Sequence, residues 1–364
     1  MGFAGNVNLH LRAGVLSVRR DADSYGEVVM TTISLRRTMS AVALATAASM
    51  IAIAPASAAP SSVASQATGP HLIATIPLDG VPLDVATDPV TDMVYVTEPS
   101  KLVVIDGKTN TVVASVAVPD NGFTVAVDSV TGMVYVSDPV HSKVLVVSGK
   151  TNKVVATIKV GGGVFWMAVN PVTDRIYAQA IVSTTLGRVV VIDGRTNKVV
   201  AGIDDQNGSQ AVAVDEVTNT VYALGNGPEG LLVIDGRTNK VTATIPGVGG
   251  LDVATNPRTN TIYTAAPGAE GPGSVTVIDG KTRAVTTMIT VSRLFDLATD
   301  RLTNFVYVAN YGASTLAVIN GRTNRIGASV PLGHHPRSVA VNERTNTIYI
   351  TNNANSVSVV AGAG

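Results

Sequence analysis

The sequence predicts an all-β fold, a seven-bladed β-propeller with four antiparallel strands per blade. Three observations carry that expectation. First, a hexapeptide of the form Ile-Asp-Gly-Lys/Arg-Thr-Asn recurs at residues 105–110, 192–197 and 234–239, with variants at 147–152, 278–283 and 319–324. Counted from Asp106, the copies stand 42, 45, 42, 44 and 41 residues apart, a period typical of repeat architectures. Second, a tyrosine-bearing motif alternates with it in seven copies, at Tyr95, Tyr135, Tyr177, Tyr222, Tyr263, Tyr307 and Tyr349. Third, Val, Ile and Thr crowd both motifs, and such branched residues favour strands over helices.

The elements follow from the N-terminus. Arg36-Arg37 precede an apolar run over residues 41–53 and then Ala56-Ser57-Ala58, which has the order of a secretory signal peptide. The run is short for a bilayer span and is broken by Thr46 and Ser49. We expect translation to start at Met30, with residues 1–29 a wrongly chosen start, 30–58 a signal peptide, 59–70 a flexible leader and 71–364 the propeller. The arginine pair also fits a twin-arginine signal, so the export route stays open between the two. Either route places the mature protein outside the cytoplasm, secreted or associated with the cell envelope.

The tyrosine motif spans residues 84–97, 124–137, 167–180, 211–224, 252–265, 296–309 and 338–351. Each copy reads as a short apolar strand a, a polar turn of Asx, Thr and Gly, and a strand b carrying the tyrosine. The hexapeptide then joins a strand c, such as residues 101–106, to a strand d, such as 111–118. Runs like Leu102-Val103-Val104-Ile105 are apolar on both faces, as a blade held between two other blades requires. Seven a–b motifs meet only six complete c–d motifs. The seventh strand c is residues 357–360, and its missing partner is the segment 71–78, which matches 154–158 and 241–245. The last blade is therefore expected to be closed by the N-terminal strand, leaving no bare edge.

Tyr95-Val96-Thr97, Tyr135-Val136-Ser137 and Tyr307-Val308-Ala309-Asn310 are followed by Val-Ile-Asp and by Thr-Asn-Lys-Val-Val-Ala-Thr-Ile. These segments resemble the YVTN family of β-propeller repeat proteins across nearly the whole mature chain. Gly333-His334-His335-Pro336 matches the Gly-x-x-Pro that joins d to a in that family, while Gly80-Val81-Pro82 is one residue shorter. The resemblance implies the propeller fold and a secreted or cell-surface protein, and it implies no particular reaction. Streptogramin lyases and gluconolactonase-type metal hydrolases are similar architectures. Their His and Glu cluster has no counterpart here, since no histidine follows Glu98 in the matching blades.

Composition narrows the function. Cysteine is absent, which removes disulfides, thiolate catalysis and Cys-based zinc sites. Past residue 59 there remain 21 Lys and Arg and 23 Asp and Glu, a net charge of −2. Nucleic acid is not an indicated partner on such a balance. Gly-x-Ser-x-Gly, His-Glu-x-x-His and Gly-x-x-x-x-Gly-Lys-Ser/Thr do not occur, and no cofactor is called for.

Chemistry is expected on the d–a and b–c loops, which vary from blade to blade and surround the channel mouth, whereas the Asp-Gly and Thr-Asn turns recur because each blade needs the same turn. The variable set includes Asp120-Asn121, residues 161–166, Asp204 to Asn207, Arg293, Phe295 and residues 334–337. It also includes Glu98, Asp138, His141, Gln179, and residues 183–188, 226–230, 266–273 and 310–311. Phe165 and Trp166 offer stacking surface, although Trp166 also suits packing between blades. Arg293 and Arg337 favour an anionic ligand or a salt bridge to Asp84, Asp252 or Asp296. His334 and His335 point to opposite sides of an extended chain, so no metal site is assigned to them. Asp204-Asp205 reads as a solvated acidic turn. The expected ligand-binding set is Phe165, Trp166, Arg293, Phe295, His335 and Arg337, rimming one mouth. The leading function is a secreted, non-catalytic binding propeller, monomeric, recognising a protein, glycan or small-molecule ligand. The alternative is a propeller lyase or metal-dependent hydrolase using loop carboxylates with His141, His334 or His335.

Overall fold

A recurring Asx turn sets the geometry of every blade. In the c–d turns the carboxylate of Asp193 accepts the N–H groups of Arg195 (3.0 Å) and Thr196 (3.1 Å), and that of Asp235 accepts those of Arg237 (2.8 Å) and Thr238 (3.2 Å). Four residues after each aspartate, Asn197 and Asn239 turn the chain with φ of 53° and 56°, a left-handed conformation that Asn tolerates. The a–b turns repeat the device: Asp215 accepts from Val217 (2.9 Å) and Thr218 (3.0 Å), and Asn219 has φ 52°. This is the physical content of the recurring Asp, Thr and Asn.

The computed structural model describes residues 69–118, 122–183, 186–205, 210–225, 230–268 and 271–364. The expected start, the signal peptide and leader residues 59–68 lie outside the described residues. So do Asp120, Asn121, Gln206, Asn207 and residues 184–185, 226–229 and 269–270 of the loops named above. The described residues form seven four-stranded antiparallel sheets and no helix. This is a seven-bladed β-propeller. The innermost strands are Asp84–Asp88, Val125–Asp128, Gly163–Asn170, Ala211–Asp215, Asp252–Asn256, Asp296–Asp300 and Pro336–Asn342. Each touches the next around a closed ring, the seventh returning to the first. Hydrogen bonds help the ring close: Thr87 Oγ1 donates to Val341 O (2.7 Å) and Thr299 Oγ1 to Thr255 O (2.7 Å).

Burial explains the apolar runs. Strands b and c are covered along both faces, as in Met93–Glu98 and Lys101–Asp106, while the outer strand Thr111–Ala117 exposes most of its length. Each core cluster joins residues of adjacent blades, as where Val85, Val94 and Ile105 pack on Tyr349 and Val357. Each fully buried Val or Ile contributes about 1.5–3 kcal/mol.

The motif tyrosines latch neighbouring blades. Tyr349 Oη donates to Gly107 O and Tyr177 Oη to Gly236 O, both at 3.4 Å, and Tyr307 Oη accepts from Ala363 N at 2.9 Å. Burial pushes Tyr95, Tyr222, Tyr307 and Tyr349 up to about 12. The latch also explains the glycine. Gly107 is not needed for a left-handed turn; a Cβ there would stand 2.6 Å from Asp92 O and 2.8 Å from Tyr349 Oη. Its role is close approach.

The N-terminal strand His71–Pro77 pairs antiparallel with Ser356–Ala361, with His71 opposite Ala361, Leu72 opposite Val360 and Ile76 opposite Val357. The last blade is thus completed by the two ends of the described chain, as the strand count requires.

Candidate ligand-binding site

The residue eleven places before each motif tyrosine stands at the mouth end of its blade, and reading these positions around the ring divides the mouth in two. In order they are Asp84, Thr124, Trp166, Ala211, Asp252, Asp296 and Ser338. From blade five round to blade two, polar members build a continuous belt. Asp252 accepts from Leu297 N (2.9 Å), Asp296 from Val339 N (2.8 Å), and Asp84 from Ser338 Oγ (2.6 Å), Thr124 Oγ1 (2.7 Å) and Val125 N (2.9 Å). Each carboxyl reaches from its own strand to the next blade. In blades three and four, Trp166 and Ala211 replace the acceptors and the belt stops.

Asp252 and Asp296 form a distinct pair. Asp296 Oδ1 accepts the same Leu297 N–H, at 2.8 Å, that Asp252 Oδ2 accepts, which sets the two carboxyls side by side. Two carboxyls in such contact share a proton. Burial, and then the charge of Asp252, hold Asp296 well above the usual carboxylate range; burial also raises Asp252. Both side chains keep slight access to the channel while protein surrounds them.

The belt gives way to an aromatic ledge. Phe123 meets Phe165 edge-on with centroids 5.4 Å apart and Trp166 at 6.4 Å, and Phe165 lies 5.8 Å from Trp166. Trp166 also packs against the cores of blades three and four, so it joins blades and lines the ledge together. Beneath it, Gln179 is opposite Trp166 in register and fully buried, with no partner for either amide atom. The equivalent Thr97, Ser137 and Thr351 accept the N–H of their own strand a. A bulge between Val164 and Trp166 takes that donor away from Gln179.

A second group sits over blades six and seven. Tyr311 is stacked on His335 (4.4 Å) and tilted against Phe295 (4.8 Å), and the Arg293 guanidinium lies 5.8 Å from its ring centroid. Such a cation–π contact at an exposed site is worth about 0.5–1 kcal/mol. His335 takes a left-handed φ of 56°, and its ring is 6.3 Å from that of His334. The six expected residues therefore fall into two groups, Phe165 with Trp166 and Arg293 with Phe295 and His335, while Arg337 stands one residue from the belt. All lie at the mouth-side ends of innermost strands. Sequence reasoning missed Phe123, Tyr311 as the centre of its stack, and the belt itself. Aligning the seven repeats on the motif tyrosine and reading eleven residues back exposes the last of these.

Two details differ from expectation. Asp204-Asp205 is not a solvated turn. Strand Lys198–Asp205 runs on, and its pleat turns Asp204 outward onto Arg188 (2.7 Å) and Asp205 inward, where it is buried. Arg293 and Arg337 make no salt bridge with Asp84, Asp252 or Asp296 among the described residues, because the belt occupies those carboxyls.

The far end of the channel is different. Arg301, in the a–b turn of blade six, pairs with Glu343 of blade seven (Nε to Oε2, 2.5 Å) and with Glu216 of blade four. Blade five lies between Arg301 and Glu216, so this ion triad crosses the channel and narrows that end. Burial raises the Glu343 carboxyl despite its partner. Two shallow hollows of about 280 and 470 Å³ lie between the repeat turns of adjacent blades, the larger lined by Asn219, Asp235, Arg237 and Arg283. Neither includes a mouth residue, and each is a gap between turns whose polar atoms serve the turn. His141 is held by Asp138, with Nδ1 3.0 Å from Oδ2. Among the described residues no group of three His, Asp or Glu side chains is arranged to hold a metal ion, and no helix is long and apolar enough to cross a membrane.

No protein-family model matches the sequence, and no curated protein is similar to it. Among solved structures, the fold is similar to a chain of Kuenenia stuttgartiensis hydrazine synthase, with a TM-score of 0.69 and 18% identity, covering 79% of this chain and 96% of that one. At that identity the likeness concerns the propeller fold alone.

Proposed function

We propose that this chain is an exported, non-catalytic binding propeller of the YVTN repeat type, taking a protein, glycan or small-molecule ligand at its channel mouth. The observation that carries the reading is the unequal mouth: an aromatic ledge of Phe123, Phe165 and Trp166 interrupts a belt of hydrogen-bonded carboxyls. Flat apolar surface beside fixed polar groups is the usual make-up of a small-ligand site. The ion triad at the other end supports entry from the mouth.

The lyase or hydrolase alternative asks for three carboxylate or imidazole groups converging on one point with free lone pairs. The belt carboxyls spend their oxygens on N–H and hydroxyl donors, and His141 is taken up by Asp138, which supports binding over catalysis. Trp166 is the sole tryptophan, so its fluorescence reports the mouth directly. A broad screen of sugars, peptides and small molecules should yield a compound that quenches it saturably and raises the unfolding midpoint. A screen silent in both readouts would refute the binding face. N-terminal sequencing of exported protein should find a start near Ala59; a product retaining Arg36-Arg37 would refute the signal peptide.

A further inference from the structure

Arg337 is a cation placed in the mouth without a partner. It lies in the innermost strand of blade seven, next to Ser338 of the belt, and is partly buried. Withdrawal from water lowers its pKa from the ordinary guanidinium value, with the fields of Tyr311 and Asp84 opposing. Other partly buried cations have a carboxylate in contact: Lys143 meets Asp138 at 3.2 Å and Arg175 meets Asp193 at 2.8 Å. Arg337 has neither an ion pair nor a hydrogen bond among the described residues. The nearby Asp84 cannot serve, because Val85 N, Ser338 Oγ, Thr124 Oγ1 and Val125 N already occupy its two oxygens.

We propose that Arg337 anchors a carboxylate subsite, so that the ligand of this mouth carries a single planar carboxylate beside a flat apolar group. The proposal rests on the reading of the mouth as a binding face. A guanidinium offers parallel N–H donors in one plane, which match the two oxygens of a carboxylate, and a desolvated setting strengthens that pairing. One cation close to the charged belt suits a monoanion better than a phosphate dianion, which the belt would repel more strongly. The stacked Tyr311 and His335 supply the flat surface alongside.

The test uses benzoate, its neutral isostere benzamide, and inorganic phosphate on the whole propeller. The His335 ring signals in proton NMR, assigned by their loss in His335→Gln, report the subsite. Benzoate should shift them saturably and bind about tenfold or more tighter than benzamide, as expected for hydrogen bonds to a charged group. Arg337→Met should abolish that preference. Arg337→Lys, which keeps the charge and loses the fork, should weaken benzoate about threefold or more, and it carries the comparison if the Met variant does not fold. Equal binding of benzamide, phosphate as tight as benzoate, unmoved His335 signals, or a preference surviving in both variants would each overturn the subsite. The broader binding face falls separately, only if no compound of any class quenches Trp166 or raises the unfolding midpoint.

Discussion

The two ends of the channel are built from the same seven strands and obey different rules. On the turn face, Asp88, Asp128, Asp215 and Asp300 all accept from the N–H two residues on, at 2.8–2.9 Å, and Asn170, Asn256 and Asn342 serve the same turn while also donating to the next blade at 2.7–2.9 Å. On the mouth face, Asp84, Asp252 and Asp296 reach across to the next blade, and blades three and four drop out of the pattern. Local satisfaction repeats because every blade needs it. Satisfaction between blades can be interrupted, and the interruption is where Trp166 enters. A residue that recurs in register thus reads as scaffold, and one that breaks a register reads as a candidate for function.

The sharpest way to break this comparison is to open the ring, since both faces depend on it. Deleting residues 60–78 removes the closing strand and should cost most of the net stability, on the order of 5 kcal/mol or more, in thermal or denaturant unfolding. An unchanged midpoint would reject closure by the N-terminal strand. Next comes the blade latch. A Cβ at Gly194 would overlap the Asp174 carboxylate and stand 3.0 Å from Tyr135 Oη, so Gly194→Ala should destabilise by about 1–3 kcal/mol. Affinity for any mouth ligand should be untouched; a loss of binding with stability intact would mean the turn face takes part in recognition.

The belt predicts a pH dependence. Because the folded protein holds the Asp296 proton more tightly than the unfolded chain, the stability that proton contributes is full below the ordinary aspartate value of about 4. It is lost as pH rises through the folded Asp296 value. Asp296→Asn keeps a hydrogen-bonding side chain without the titration, so the difference in unfolding midpoint between wild type and variant should shift in the variant's favour as pH rises. A difference independent of pH would contradict the shared proton. The smallest effects on stability separate the faces most cleanly. Trp166→Phe keeps an aromatic between the blades and should weaken ligand binding measured by calorimetry, with a modest change in the unfolding midpoint. Asp235→Ala should lower the midpoint and leave affinity alone. Reversal of that pattern would invert the assignment of faces.

The propeller was legible because its signals are local and repeated. The Asp-Gly-x-Thr-Asn turn, the tyrosine and the apolar strand c each carry their meaning within a few residues, and six copies of the turn with seven of the tyrosine motif make the period plain. The missing strand was found by counting. The mouth was legible only in part. Phe165 and Trp166 stand out by rarity, but their meeting with Phe123 joins residues about 40 positions apart and depends on blade geometry. The belt is harder still: Asp252 looks like any strand-initiating aspartate until the ring places Leu297 N above it. Asp204-Asp205 misled because strand Lys198–Asp205 continues through both residues, so its alternation exposes Asp204 and buries Asp205 at the position that Val118 and Val160 fill in earlier blades.

The seam in the last blade has a mechanical consequence. His71 lies opposite Ala361, so the free ends of both pairing strands emerge at the same end of the pair. A force applied to those two ends would load the backbone hydrogen bonds one after another, as a zipper is opened, instead of shearing them together. Such a joint yields at low force even when it is thermodynamically firm. Tethered by both termini the protein would therefore be a weak link, opening first at the seam. Tethered by one terminus it would bear no load across the seam, and the ring would stay shut.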